Sequence, residues 1–382
     1  MKIVYIIDTL STKGGAERII SEKMNYMTAH YDYDVSIITC YQFPESMPNC
    51  YYLSDRVRQI NLCIPLHLQY QHPYPQRLWD RWNLNRQLRR NLQETINSIK
   101  PDIIIGVGYA LGDIVCRIKY QATKIIEAHE ARIFTKTFYL HQDNSLLTNL
   151  YFKFSRQLYL RTIEKKADII ITLTKEDAHN WRKAKRVEII PNFSIMPISE
   201  LSDCETKRVI AVGRLEWQKG YDRLLNIWKL VATKHPDWHL NIFGDGAQKS
   251  ELLNIIKETK INNITIHPYT NNISQEYASS SICVLTSRYE GFSLVLLEAL
   301  RHGLPCISFD CPYGPKDLID NEKCGYVIEN ENINLFAEKL SFLMDHTETR
   351  KLFGHAAINK AQSYQIDNIM NQWRRLFESL TK

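Results

Sequence analysis

A chain of 382 residues, 44% hydrophobic and 24% charged, is long enough for two domains with cores of their own and is neither a disordered nor a fibrous composition. Its formal charge of +6 is uneven: residues 1–190 carry 27 Lys and Arg against 19 Asp and Glu, whereas residues 191–382 carry 21 against 23. Nine scattered cysteines with no CxxC pair argue against a disulfide framework or a zinc module, no apolar run is long enough to cross a bilayer, and a pI near 8.7 without a binding motif argues against nucleic acid.

Short β-branched runs alternate with amphipathic segments of helical length, the pattern of parallel sheets in α/β domains. The first expected strand, residues 2–8, starts close to the first methionine, so no secretory signal is expected. It leads into TLSTKGGAERIISEKM, where Gly14 and Gly15 precede a helix expected from about Ala16. Paired glycines let a backbone approach a ligand, and free amides at a helix start favour phosphate, yet the GxGxxG spacing of dinucleotide binders is absent. The next strand is expected at 34–39. Asp32-Tyr33-Asp34 imitates a metal-binding DxD but stands in the turn on that strand's amino side, away from where ligands gather. RLWDRWNLNRQLRR (77–90) then sets five arginines among two tryptophans, and YFKFSRQLYLRTIEKK (151–166) mixes cations with aromatics. Such stretches suit an interfacial surface on anionic lipid, or equally a solvated helix whose aromatics turn to the core. Further strands are expected at 102–107, 124–129, 168–174 and 187–191, with His129 closing the second of these.

Residues 191–207, with two prolines and polar residues, read as a linker. Beyond it strands are expected at 208–213, 239–244, 264–268, 282–287, 305–310 and 325–329, the second domain running over 208–365. A last helix over 366–382 is expected to pack back toward the first domain. VGRLEWQKGYDRLLNIW places Arg214 and Lys219 after a strand end, two cations suited to a diphosphate. His235 and His239 flank a proline turn and lack helical ligand spacing, so no metal is assigned. In RYEGFSLVLLEAL, Ser293 is placed to cap a helix over 294–300. Glu298 lies inside that otherwise apolar helix, facing either water or a ligand rich in hydroxyls.

GR-x4-KG at 213–220, with E-x7-E from Glu290 to Glu298 inside SRYEGFS, resembles the retaining nucleotide-sugar glycosyltransferases of family four. FGDG (243–246), ALRHGLPCISFD and CGYVI extend the likeness, as do KGGAER, EAHE around His129 and IIPN in the first half. Residues 40–120 match weakly. The resemblance implies an α/β fold of two tandem Rossmann-like, doubly wound domains facing a cleft (GT-B). It implies that Arg214, Lys219 and the amides around Ser293 and Leu294 hold the donor diphosphate, that Glu298 takes the ribose hydroxyls, and that Glu290 contacts the transferred sugar. Gly14, Gly15, Gly244 and Phe292 would complete the donor site. His129 would face the reacting sugar, unless it is simply a satisfied strand-end histidine. Pro268 and Tyr269 stand where relatives often have a glycine near the base. CPYGPKDLI (311–319) resembles a subset acting in bacterial surface polysaccharide synthesis.

These readings lead to an expected retaining, metal-independent transferase with no cofactor, moving a sugar from a UDP-type donor to a hydroxyl of a lipid-linked glycan such as a capsule or lipopolysaccharide precursor. Its expected partners are the nucleotide sugar, the glycan acceptor and an anionic membrane surface, and its expected place is the cytoplasm, peripheral at the inner face of the cell membrane. A nucleotide-sugar epimerase on the same fold and a non-catalytic binding module are the alternatives.

Overall fold

The computed structural model describes residues 1–66, 76–132 and 146–380. The chain divides into two compact units: residues 1–190 with 370–382, and residues 191–369.

The first unit runs β1 (Lys2–Ile7), α1 (Gly15–His30), β2 (Asp34–Thr39), β3 (Arg58–Asn61), α2 (Gln76–Ile99), β4 (Ile103–Val107), α3 (Tyr109–Val115), β5 (Thr123–Glu127), α4 (Leu146–Lys166), β6 (Ile169–Thr172), α5 (Lys175–Ala178) and β7 (Val187–Ile189). Its seven strands are all parallel, in the order β3-β2-β1-β4-β5-β6-β7. Helices on both faces leave the central strands no wet side, and β4 and β6 are buried at every position. β3 was not expected from the sequence. RQIN has little strand propensity, and it is held instead by edge pairing to β2, with Ser36 opposite Arg58. The helix α2 packs through Leu88, Leu92 and Ile96 onto the sheet core.

The second unit runs β8 (Arg208–Val212), α6 (Tyr221–Ala232), β9 (His239–Phe243), α7 (Lys249–Thr259), β10 (Ile264–His267), α8 (Ile273–Ala278), β11 (Ile282–Leu285), α9 (Leu294–Arg301), β12 (Cys306–Phe309), α10 (Pro315–Leu318), β13 (Gly325–Ile328), α11 (Ile333–Asp345) and α12 (Thr347–Gln362). Six parallel strands lie in the order β10-β9-β8-β11-β12-β13. Trp228 of α6 and Phe336 and Leu340 of α11 bury against Ile242, Val284 and Phe309 of the sheet. A large side chain of this kind contributes about 1.5–3 kcal/mol when fully buried.

The boundaries between the units fall after residues 190 and 369. Residues 191–207 belong with the second unit instead of forming a free linker: Phe193, Met196 and Cys204 are buried, and Arg301 donates to the Ser194 hydroxyl and the Met196 carbonyl, both at 3.0 Å. Prolines and polar residues signalled irregular backbone there, but irregular backbone can still be packed. The helix α13 (Ile366–Leu380) changes allegiance within its first turns, residues 370 onward packing with the first unit through Met370, Trp373 and Phe377. Both sheets reverse their winding at one place, between β1 and β4 in the first and between β8 and β11 in the second. The carboxyl ends of strands flanking such a point are where open α/β sheets bind ligands.

In the second unit that point depends on Gly220, which starts α6 at φ 65° and ψ 35° and would carry a Cβ 2.2 Å from the Thr286 carbonyl oxygen. Gly220→Ala is therefore expected to destabilise the unit by at least about 1–2 kcal/mol, the left-handed penalty alone. Urea denaturation measures this, and an unchanged midpoint would show that the loop after β11 yields freely.

Candidate active site

At the switch point of the second sheet, β8 ends in a loop carrying Arg214 and a single 3-10 turn, Trp217–Lys219. Arg214 is exposed, and its guanidinium makes no hydrogen bond or ion pair among the described residues. Lys219 is largely buried and donates from Nζ to Glu290 Oε1 at 2.8 Å. The same oxygen accepts the Ser287 hydroxyl at 2.6 Å, so one edge of the carboxylate is held by the protein. A second position of the loop is locked by Arg288, which forks onto Asp222 at 2.9 and 2.7 Å and donates to the Trp217 carbonyl. Burial alone would raise the Asp222 carboxyl, but Arg288 outweighs it and holds the group below its usual range.

Three residues beyond Glu290, Ser293 caps α9, its hydroxyl accepting the Leu296 amide at 3.4 Å. The amides of Leu294 and Val295 at the helix start have no intrahelical acceptor, as in any first turn. Gly314 holds a positive φ of 108° where the chain after β12 lies against this start, a conformation that favours glycine. Phe292 is buried beside Tyr364, with ring centroids 5.8 Å apart. Glu298, one turn further along α9, is 6% exposed, so it does not face open water. The Tyr277 hydroxyl approaches its Oε2 at 3.5 Å. Burial first, and then the Glu298 charge, push the Tyr277 hydroxyl well above its ordinary pKa. Gly244 ends β9 so close to β8 that a Cβ would strike the Gly213 carbonyl oxygen at 1.9 Å, whereas Tyr269, after β10, is exposed.

Arg214, Lys219, Glu290, Phe292, Ser293, Leu294 and Glu298 thus share one end of one sheet, grouped around β8 and β11. Sequence reasoning missed Ser287, Arg288, Tyr277 and His302. His302 is fully buried and bridges the Glu298 carbonyl and the Ser274 hydroxyl, each at 2.7 Å. Its position four residues after Glu298 was the available signal.

The first unit is built on the same plan. Gly14 caps α1 with extended backbone and leaves room for Glu17, which accepts the Thr12 hydroxyl, while Gly15 opens the helix in an exposed position. His129 follows β5, its Nε2 3.0 Å from Glu127 Oε1. Glu127 in turn pairs with Lys23 of α1. Neither Lys23 nor Glu127 was singled out from the sequence, although a lysine on the apolar face of α1 and a carboxylate closing a buried strand are both out of pattern. Asp32 and Asp34 lie at the amino end of β2, Asp32 in a left-handed turn. His239 bonds Thr265 at 2.8 Å, and His235 lies 3.6 Å from Asp345. Among the described residues no group of three or more His, Cys, Asp or Glu is placed to hold a metal.

The fold, two units each built on a doubly wound parallel sheet, is of the GT-B type. Residues 195–360, within the second unit, match the family described as Glycosyl transferases group 1. Over 381 residues the chain is 29% identical to an uncharacterized glycosyltransferase of Haemophilus influenzae, covering 98% of this chain and 99% of that one. It is 35% identical over 218 residues to the amylovoran biosynthesis glycosyltransferase AmsD of Erwinia amylovora, the match taking in 54% of this chain and 61% of that protein. Among solved structures it resembles a TarM mutant of S. aureus in complex with Fondaparinux, alpha-GlcNAc-glycerol and UDP, with TM-score 0.78, 17% identity, and coverage of 98% and 99% of the two chains.

Burial would raise the Glu127 carboxyl, but the Lys23 charge and the hydrogen bond from His129 outweigh it and hold the group at about 2. Since this lies below the ordinary 4.5, the interaction stabilises the fold above about pH 4.5 and is lost as the pH falls toward 2. The stability difference between wild type and Glu127→Gln, measured by chemical denaturation, should be largest near neutrality and narrow below pH 4.5. A gap that stays constant into acid would count against the ionised pair.

Proposed function

We propose that the chain transfers a sugar, with retention of configuration and without a metal, from a UDP-type nucleotide sugar to a hydroxyl of a growing lipid-linked glycan in bacterial surface polysaccharide synthesis. The observation that carries this reading is the Lys219–Glu290 pair beside the start of α9. An ammonium has three protons, and Lys219 commits one of them to Glu290. The remaining two, the unpaired guanidinium of Arg214 and the free amides of Leu294 and Val295 form a donor cluster suited to a diphosphate. Glu290 uses Oε1 for Lys219 and Ser287, which leaves Oε2 for hydroxyls of the transferred sugar. Glu298, buried on the same helix, suits the ribose.

The cluster accounts for charge neutralisation on the leaving diphosphate without a divalent ion. The complex of TarM with UDP supports a uridine donor, and the likeness to a glycosyltransferase of amylovoran biosynthesis supports a role in bacterial polysaccharide synthesis. An epimerase would need an acid and a base for proton transfer at the sugar. A non-catalytic module would bind donor without turnover, so a transfer and hydrolysis assay over a panel of nucleotide sugars separates the three.

In that assay Glu298→Ala is expected to weaken donor binding and Glu290→Ala mainly to lower kcat, each by about one to two decades for lost hydrogen bonds to a charged group. Lys219→Ala should lose most transfer, while the wild type should remain active in chelator. Wild-type constants in both glutamate variants, or activity abolished by chelator and restored by manganese, would refute the assignment.

No helix among the described residues is long and apolar enough to cross a membrane. The first unit nevertheless carries a surface suited to one. Trp79 and Trp82 of α2 are 65% and 58% exposed, so they do not turn to the core. The Arg86 guanidinium lies 5.5 Å from the Trp82 ring centroid, and Arg89 and Arg90 are exposed on the same helix. The side chain of Arg77 lies outside the described residues. Exposed indoles beside guanidiniums match the headgroup region of an anionic leaflet, where each cation contributes about 1 kcal/mol. Replacing Arg77, Arg81, Arg86, Arg89 and Arg90 by glutamine should reduce sedimentation with anionic liposomes at low salt and leave donor affinity intact. Equal sedimentation of the variant, or none by the wild type, would reduce the stretch to a solvated face.

A further inference from the structure

Lys23 and Glu127 form the most deeply buried ion pair among the described residues, their side chains 1% and 2% exposed. Lys23 rises from α1, Glu127 is the last residue of β5, and the Trp373 ring of α13 lies over the ammonium with its centroid 4.0 Å away. Burying two charges costs several kcal/mol per ion, and an apolar pair of similar volume would often be as stable. The pair therefore calls for a role beyond packing, and Glu127 Oε1 shows one by also meeting His129 Nε2 at 3.0 Å.

We propose that Glu127 and Lys23 together set the state of His129: Glu127 fixes the ring with Nε2–H pointing inward, and Lys23 cancels the carboxylate charge so that the ring stays neutral and presents Nδ1 as a hydrogen-bond acceptor. This deepens the reading of His129 as the residue facing the donor sugar and rests on it. A carboxylate only accepts, so the shared proton is on Nε2. A lone buried carboxylate would favour the imidazolium, and an ammonium on the same oxygen opposes that. No other hydrogen bond of the His129 side chain occurs among the described residues, which leaves Nδ1 uncommitted. A neutral Nδ1 accepts from a sugar hydroxyl, whereas an imidazolium would donate to phosphate. The pair thus selects which part of the donor the ring addresses, and Glu127 and Lys23 are positioning residues.

The other groups at this end of the sheet fit the same picture. Tyr5 of β1 keeps its hydroxyl protonated, raised by burial and by Glu127. Glu130 follows His129 directly, Asp8 follows β1 with its carboxyl pushed up to about 6 by desolvation, then by Glu130 and Glu17, and Arg132 is committed to Glu164 at 2.9 Å.

Ring 15N spectra of the protein with its 12 histidines labelled, His129 assigned by its loss in His129→Gln, test the proposal without substrate. The wild type should show the neutral Nε2–H tautomer at pH 7.5. Lys23→Met should raise the ring's proton affinity about tenfold or more, and Lys23→Met/Glu127→Gln, with both charges gone, should return it to within about threefold of wild type. Glu127→Ala should release the ring into a mixture of tautomers, and it keeps the test open if Lys23→Met does not fold. An imidazolium or Nδ1–H ring in the wild type, or a ring unmoved in Glu127→Ala and Lys23→Met, overturns the proposal. Transfer kinetics of His129→Ala judge the sugar-facing reading separately: wild-type kcat there would remove that reading while leaving the spectra to decide the tautomer.

Discussion

In a sheet whose strands all run one way and are covered on both faces, backbone polar groups are paired within the ladder and side chains are apolar over most of every strand. Polar chemistry is pushed to the carboxyl ends, and it gathers where the winding reverses and neighbouring helices diverge. Everything of functional interest here follows from that constraint, applied once in each unit. In the second sheet the reversal brings the loop after β8 and the start of α9 together. In the first it places the glycines before α1 beside β4, with His129 one strand further on.

Both ends then face the same electrostatic problem, a carboxylate and an ammonium withdrawn from water, and they solve it to different degrees. Lys219 and Glu290 are partly open, 15% and 6% exposed, and each keeps hydrogen-bonding capacity that a ligand can use. Lys23 and Glu127 are closed off, 1% and 2% exposed, and pass their influence on only through His129. One pair keeps hydrogen-bonding capacity open at its surface, and the other acts on the His129 ring from beneath. The difference is a matter of cover, since Trp373 seals the second pair.

A helix-capping serine and a carboxylate inside an apolar helix were legible because their spacing is local, whereas the two loop cations were joined to them only by the resemblance to family-four glycosyltransferases. Ser293 caps α9 as its position before an apolar run implies, and Glu298 is buried because Leu296, Leu297, Ala299 and Leu300 around it are. The strands at the sheet centres were equally plain, since β-branched runs such as Ile103–Val107 have no other stable use in an α/β chain. The edge strand Arg58–Asn61 was not legible, because its support is tertiary: pairing to β2, the packing of Ile60 on the core and side-chain hydrogen bonds at Gln59 and Asn61. The segment 191–207 read as a linker because composition reports backbone irregularity and says nothing of what packs against it.

Sequence by itself determined the alternation of elements, the class of fold, and the identity of the residues around Glu290 and Glu298, all of which rest on interactions between residues close along the chain. Only the tertiary structure decided that Lys219 meets Glu290 across 71 positions, that Arg288 is taken up by Asp222, and that Lys23, Glu127 and Trp373 converge beneath His129. Such pairings depend on strand order and helix placement, which arise from burying apolar faces over the whole domain. A charged residue carries no local mark of the partner that burial will bring to it.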